Sequence, residues 1–588
     1  VLKAAFLGMM RGRAINENFL MSIASLGAMF LGDYSEAVGV MLFYRVGEYL
    51  QERAVGSSRR SVSELMSLRP EAVHVKKAGA VDDVPPSEVL PGSLIEVRPG
   101  ERVPLDGVVT GGCSVLDTSA MTGESLPVEA GSGSSVLAGY INGQGVLEVC
   151  TERDWRHSAL ARVQELVEAA SGRKSPLEGR LSSFSRIYTP LVISIAALVF
   201  LLYPLVTGGS WADGLFRALV LLVISCPCVL GLATPIAIMV GTGRGARLGI
   251  LCKSAGALEA LSRVDTVVFD KTGTLTEGEP RVVAVLPEEG MDADALVEMA
   301  AALEQGSEHP VGKAVYEHAR LLNLPVRAVA DLSVVPGRGI AGTVDGVPYA
   351  VGNSGFMQDK GISWKEDESR LREFMRQGAS PLYVGRGGCP AGVIMVADSL
   401  KPDSRAAVDS LKRMNLRVVM LTGDNAATAR HMAGELHIDE VVSDVLPDEK
   451  ASHVMKMEER GDKVAMVGDG VNDAPALACA RVGISMKSGT ELAMESSDIV
   501  LMKSNPAGVA EAVQLGRTTL LIIRQNLFWA FFYNIIGIPL AAGCLYPAFG
   551  LTLNPMIAAG AMSLSSLCVV FNSLRLRGFT PRLGGLGK

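Results

Sequence analysis

The sequence predicts a multi-domain membrane protein in which a helical transmembrane bundle carries a small β-rich domain and a larger α/β domain. Three observations predict it. Apolar stretches come in three pairs, at residues 18–31 with 37–50, 191–206 with 216–240, and 527–548 with 555–574. Two long polar segments, about 51–180 and 251–526, lie between the pairs. Hydrophobic residues make up 48% of the 588 positions and charged residues 20%, greasy for a soluble chain and too charged for one confined to lipid. A chain of that length also exceeds a single hydrophobic core.

Several of the apolar stretches approach the ~20 residues that a helix needs to cross hydrocarbon. The first pair is short and carries Asp33, Glu36, Arg45 and Glu48. The polar segment after it is dense in Gly, Val and turn residues (Pro99-Gly100, Pro104-Leu105-Asp106-Gly107), as a small β domain is. The second polar segment alternates β-branched runs with amphipathic stretches, the pattern of parallel α/β units. Arg53, Arg59 and Arg60 follow the second apolar stretch and Arg575 and Arg577 the last, which places both polar segments on the cytoplasmic side. The net charge of −7, without a basic stripe, argues against nucleic acid as a partner. Nine unevenly spaced Cys suit a reducing compartment better than a disulfide framework. The chain opens at Val1 with neither Met nor signal peptide, so it reads as a fragment, with residues 1–13 the tail of a preceding helix.

Val267-Val268-Phe269 is an apolar strand that runs into Asp270-Lys271-Thr272-Gly273-Thr274-Leu275-Thr276. A carboxylate at the C-terminal tip of a parallel strand sits where α/β folds hold their ligands. Alone, such an Asp is as readily a helix cap. Two more apolar strands end in Thr422-Gly423-Asp424-Asn425 and in Gly468-Asp469-Gly470-Val471-Asn472-Asp473-Ala474-Pro475, and Lys450 lies between them in the sequence. Together they make a phosphoryl-transfer site. Asp270 can attack a γ-phosphate, Asp469 can share Mg²⁺ with it, and Lys450 and Thr422 can neutralise the equatorial oxygens. The chain has no Gly-x-x-x-x-Gly-Lys-Ser/Thr loop.

In this order the three motifs resemble the phosphorylation domain of P-type ATPases, and the likeness runs through nearly the whole chain. The resemblance implies a haloacid-dehalogenase-like α/β phosphorylation domain, with Asp270, Thr272, Thr422, Lys450, Asn472 and Asp473 catalytic and Asp270 and Asp469 on Mg²⁺. Thr122-Gly123-Glu124-Ser125 with Pro127 resembles the loop of the family's β-rich actuator domain, where Glu124 would position water on the phosphoaspartate. An inserted α+β nucleotide-binding domain is expected to contact ATP through Glu304, His309 in Glu308-His309-Pro310, Gly337, Gly339 and Asn353. The implied domain order is 1–54 first helix pair, 55–175 actuator, 176–250 second pair, 251–276 and 395–510 phosphorylation domain, 277–394 nucleotide domain, and 511–588 third pair with the tail.

Cys226-Pro227-Cys228 interrupts the fourth apolar stretch. Proline removes a backbone donor and frees carbonyls, which is tolerated at membrane depth only where the backbone is buried or lines a cavity. The two thiols beside it suit Cu(I), Zn(II) or Cd(II). Cys226-Pro227-Cys228, with the Gly231–Pro235 run after it, resembles the heavy-metal branch of the family. Tyr533-Asn534 and Met562-Ser563-Leu564-Ser565-Ser566 resemble its copper members, with Met562 and Ser566 on one helix face. Zinc members carry a Lys and an Asp in these helices, and neither type occurs here. Against copper, the first pair is closer to zinc and cadmium members, and Ser182 stands where relatives carry an acidic inlet residue. Glu36 and Glu48 are then the outlet and inlet carboxylates. The expected activity is ATP-driven export of Cu(I) from the cytoplasm by a monomer in the bacterial inner membrane, with membrane lipid around it and a metallochaperone or thiol donor as partner. The alternatives are a Zn(II)/Cd(II) exporter and, further off, a membrane-tethered phosphatase of the same fold or a metal sensor.

Overall fold

The computed structural model describes residues 17–66, 72–77, 80–118, 127–158, 161, 176–225, 230–305, 307, 310–335, 338–364, 371, 373–375, 378–424, 426–446, 449–487, 489–550 and 553–582. They fall into two compact units, Val1–Arg263 with Ala512–Pro581, and Val264–Glu511 with Arg582–Lys588.

The apolar stretches of the first unit form helices α1 (Glu17–Phe30), α2 (Tyr34–Met66), α3 (Pro176–Thr207), α4 (Trp211–Ile224), α5 (Leu230–Arg247), α6 (Ala507–Ala541) and α7 (Pro555–Leu574). Ile187–Thr207 within α3, the whole of α6, and Pro555–Gly578 are long and apolar enough to cross a membrane. The stretch 216–240 holds two described helices, α4 ending at Ile224 and α5 starting at Leu230. Ser210 caps α4 by accepting from the Asp213 N–H, and Asn554 caps α7 by accepting from the Met556 N–H, so both helices start at a fixed residue. Met21, Val40, Tyr44, Val192, Val220, Val223, Ala558 and Met562 share one buried cluster. Lipid tails are as apolar as these side chains, so close packing rather than water exclusion holds the helices together.

The β-rich domain of this unit is a sheet with strands in the order Ala80–Val84, Val73–Lys77, Leu94–Val97, Leu147–Thr151, Gly107–Gly111 and Ser135–Val136, beside a smaller three-stranded sheet. Leu147–Thr151 alternates buried and half-buried residues, which is why it reads as a strand with one covered face. Val75, Ile95, Leu105, Val109 and Val149 fill the core.

In the second unit, β1 (Thr266–Asp270), β2 (Arg417–Leu421), β3 (Glu440–Val442), β4 (Val464–Gly468), β5 (Val482–Met486) and β6 (Ile499–Leu501) lie parallel in the order β6-β5-β4-β1-β2-β3. Every residue of β1, β4 and β5 is buried, as in a sheet covered on both faces. With β2 and β4 on either side, β1 marks the point where strand order reverses, and a crevice opens at the carboxyl ends there. Two twelve-residue strands, Thr276–Pro287 and Cys389–Leu400, leave and rejoin this fold as an antiparallel pair. Between them the chain completes an antiparallel sheet through Ala330–Val335, Gly339–Val344, Val347–Gly352 and Ser380–Arg386, backed by helices Ala293–Glu304 and Pro310–Leu321. This is the inserted α+β domain expected from the sequence.

Candidate active site and membrane cavity

Strand β1 delivers Asp270 to the crevice, and β4 delivers Asp469 one residue past its end. The turn Val471–Asp473 folds Asp473 back, so that its Oδ2 accepts from the Asp469 N–H at 3.2 Å and the Gly470 N–H at 2.9 Å. Oxygens of the three carboxylates lie within 4.8 Å of one another. Lys450, the first residue of a helix, donates from Nζ to Asp270 Oδ1 at 2.6 Å and to Asp473 Oδ1 at 2.7 Å. Burial, then the charge of Asp473, pushes the Asp270 carboxyl up to about 7 despite Lys450. Burial and Asp473 likewise raise Asp469 to about 6. Burial works against the Lys450 charge, but Asp270 and Asp473 outweigh it and raise its pKa.

Three crowded carboxylates with one shared ammonium leave negative charge uncompensated. That donor set, all oxygen, fits Mg²⁺, which would be held by Asp270 and Asp469. Gly273 leaves room for the Asp469 carboxylate: at φ +74° its missing Cβ would fall 2.3 Å from Asp469 Oδ2.

Thr422, one residue past β2, is buried, and its hydroxyl accepts from the Asp424 N–H at 3.1 Å. Thr272 and Asn472 are exposed on the loops around Asp270. Residues to which the sequence reading gave no individual role complete the frame. Lys271 binds Asp424 at 2.7 Å, which ties the β1 loop to the β2 loop. Lys401, its pKa lowered by burial, donates to the Gly273 carbonyl. Asp398 accepts from the Thr276 hydroxyl and from the Gly278 N–H, pinning the root of the inserted domain. The signal for these was present as Asp398-Ser399-Leu400-Lys401 at the end of an apolar run.

Glu124 lies outside the described residues, as do His309 and Gly337. Glu304 ends its helix with a buried carboxylate against Gly312, where any Cβ would fall 2.2 Å from Oε2. Gly339 pairs with Gly352 across a hairpin, and the next residue, Asn353, caps Ser354–Asp359 by accepting from the Phe356 N–H at 2.8 Å.

Within the bundle, Cys226 and Cys228 lie outside the described residues, but the ends of α4 and α5 on either side, Ile224 and Leu230, line a small, partly open cavity of about 20 Å³. Tyr533, Asn534 and Met562 line it too. That volume is enough for a single water or ion. Tyr188 and Ser565, which the sequence reading did not single out, also face it, and the buried Tyr188 hydroxyl makes no hydrogen bond among the described residues. Ser566 is buried one residue on and bonds the Met562 carbonyl at 3.4 Å. Glu36 and Glu48 are not among the cavity residues. Glu36 accepts from Asn554 Nδ2 at 2.7 Å, which joins α2 to the start of α7, and Glu48 pairs with Arg45 one turn away.

Comparison with known proteins agrees with this layout. The P-type ATPase actuator domain profile matches residues 67–168, and haloacid dehalogenase-like hydrolase profiles match 264–481 and 451–513. The chain is 41% identical over 555 residues to the probable copper-transporting ATPase PacS of Synechococcus elongatus, covering 93% of this chain and 74% of that one. This chain is a heavy-metal-transporting P-type ATPase. The silver exporting P-type ATPase of Salmonella typhimurium is 40% identical, with 94% and 67% coverage. A zinc-transporting PIB-type ATPase crystallised in its E2.Pi state superimposes on the ATPase with a TM-score of 0.62, at 35% identity and 98% and 92% coverage. The β-rich domain is thus the actuator domain, and the parallel sheet belongs to the phosphorylation domain.

Proposed function

We propose that this P-type ATPase exports Cu(I) from the cytoplasm. One observation carries the choice of ion: Met562, Tyr533 and Asn534 meet in a cavity bounded by the residues flanking Cys226–Cys228, and no charged side chain lines it among the described residues. A thioether and two thiolates suit a soft monovalent ion of low coordination number, whereas a divalent Zn(II) or Cd(II) would want a fourth ligand. Relatives named for copper or silver at about 40% identity support the reading. A Zn(II)/Cd(II) reading draws on the Glu36–Asn554 pair and on the zinc-transporting neighbour.

Asp270 attacks the γ-phosphorus of ATP, its oxygen forming the acyl-phosphate bond as the bond to ADP breaks. Bound Mg²⁺ supplies charge neutralisation to the phosphate oxygens. Lys450 aims the attacking carboxylate, Asp473 anchors Lys450 and the Asp469 turn, and Thr272, Thr422 and Asn472 ring the phosphoryl group. Glu304, His309, Gly337 and Gly339 form the nucleotide pocket, and Asn353 holds the turn behind Gly352. Glu124 then deprotonates the water that hydrolyses the phosphoaspartate. Cys226, Cys228 and Met562 hold the ion, with Tyr533, Asn534 and Ser566 as polar neighbours, Glu48 at the inlet and Glu36 at the outlet. The ATPase works as a monomer in a bacterial inner membrane, soluble domains in the cytoplasm, loaded by a metallochaperone or thiol donor.

The test is ATPase activity of the purified protein titrated with Cu(I), Zn(II) and Cd(II) under reducing conditions. Stimulation by Cu(I) is expected. Stimulation by Zn(II) or Cd(II) without Cu(I) overturns the assignment.

A further inference from the structure

Away from the cavity, α6 and the end of α7 border an open, shallow groove of about 430 Å³ lined by Arg524, Gln525, Phe528, Trp529, Asn572 and Arg575. At 1.5 Å per residue, Arg524 lies about 26 Å along α6 from its end at Ala541, and Arg575, the residue that caps the end of α7, about 30 Å from Pro555. With Ala541 and Pro555 taken at the far face, both positions fall where a ~30 Å hydrocarbon core gives way to headgroups. The membrane-depth surface beside them is open to lipid: Phe528, Phe532, Ile535 and Phe571 are all exposed. Phe528, Trp529 and Phe532 form a mutual ring cluster with centroids 5.5–5.7 Å apart.

The polar side of the groove is built, not incidental. Arg575 Nη1 donates to Asn572 Oδ1 at 2.9 Å. Asn572 Nδ2 donates to Asn526 Oδ1 at 2.9 Å and to Gln525 Oε1 at 3.2 Å. Asn526 is fully buried and donates in turn to the Ala233 carbonyl on α5 and to the Ser573 hydroxyl. One guanidinium is thus oriented by an amide chain rooted in three helices, a second faces the same space, and no carboxylate lines it among the described residues.

We propose that this groove binds the phosphate of an anionic phospholipid, with Arg524 and Arg575 on the phosphate and the Phe528–Trp529–Phe532 surface under the first part of an acyl chain. Two forked guanidiniums match phosphate oxygens, and the aromatic edge selects an amphiphile over a free anion.

Native mass spectrometry of the full chain in detergent, titrated with phosphatidylglycerol or phosphatidylcholine, tests it. Phosphatidylglycerol should be retained preferentially, and Arg524→Gln with Arg575→Gln should weaken its binding by about thirty-fold. The corresponding double Lys variant should keep most of the affinity, and Asn572→Ala, which frees Arg575, should fall between. Phosphoenzyme formation from ATP reports that each variant is folded. Equal binding of the two lipids, or wild-type affinity in the double Gln variant, overturns the proposal. So does displacement of the lipid by inorganic phosphate, which would make the groove a free-anion site.

Discussion

At the phosphorylation centre most charged groups are fixed by a charged or backbone partner, whereas the membrane cavity is shaped almost entirely by packing. Asp270 and Asp473 share Lys450, Asp473 also takes two backbone N–H groups, and Lys271 and Lys401 lock the loop that follows Asp270. The cavity instead brings Ile224, Leu230, Tyr533, Asn534 and Met562 together from four helices, with the Tyr188 hydroxyl unpaired among the described residues. The difference follows from what each site must do. Phosphoryl transfer needs preorganised charge, because reorganising it during the reaction is costly. An ion that must enter and leave needs few, soft and exchangeable ligands.

The largest effect should come from the nucleophile. Asp270→Asn keeps the shape of the carboxyl but cannot form the acyl phosphate, so labelling from ATP should drop by several orders of magnitude. Acid-stable, hydroxylamine-labile label in the variant at the wild-type level would remove Asp270 from the mechanism. Next is the charge network itself. Lys450→Met leaves two buried carboxylates facing each other, and the phosphorylation rate should fall about 10²–10³-fold. A wild-type rate would mean that the centre does not depend on fixed charge, and the contrast with the cavity would collapse.

In the cavity a smaller and more selective effect is expected. Met562→Leu preserves volume and apolarity, so stability should change by less than about 1.5 kcal/mol. Loss of the sulfur should raise the Cu(I) concentration for half-maximal ATPase by about tenfold or more. Phosphorylation from inorganic phosphate, read on the same variant, should stay near wild type. If Met562→Leu leaves copper dependence unchanged while Glu36→Ala abolishes transport, the ion is chosen at the Glu36–Asn554 pair and not in the cavity.

The same contrast governs what could be read from the sequence. Asp270, Thr422 and Asp469 were legible because each follows a short apolar run containing at least two Val, and parallel strands bring their tips together whatever the loops do. The inserted domain was legible as an interruption between two such runs. Lys401 and Asp398 were not singled out, because an Asp near the end of a strand and a Lys just past it look like ordinary surface residues until the fold turns them onto Gly273, Thr276 and Gly278. Tyr188 escaped for a related reason: Tyr533, Asn534 and Met562, which share the cavity with it, lie hundreds of positions later, and nothing local marks a tyrosine as facing them. The fourth apolar stretch read as one span interrupted at Pro227, and the described helices on either side end at Ile224 and restart at Leu230.

The smallest predicted effect decides how the nucleotide pocket belongs in this comparison. Asn353 was singled out as a contact to ATP, yet its Oδ1 accepts from the Phe356 N–H, and its own N–H donates to the Arg338 carbonyl at 2.9 Å, fastening the turn behind Gly352. If it acts through that turn, the acceptor oxygen is what matters and the amide nitrogen is dispensable. Asn353→Asp retains the acceptor and should leave both stability and the KM for ATP near wild type. Asn353→Ala removes it and should cost about 1 kcal/mol of stability, with a raised KM as the Gly352 backbone loosens. Thermal unfolding and ATP titration of the two variants separate the cases. A KM raised equally by Asp and Ala, with stability lost only in the Ala variant, would show that the amide touches the nucleotide directly. The pocket would then rely on fixed polar contacts, like the phosphorylation centre, and not on backbone shape.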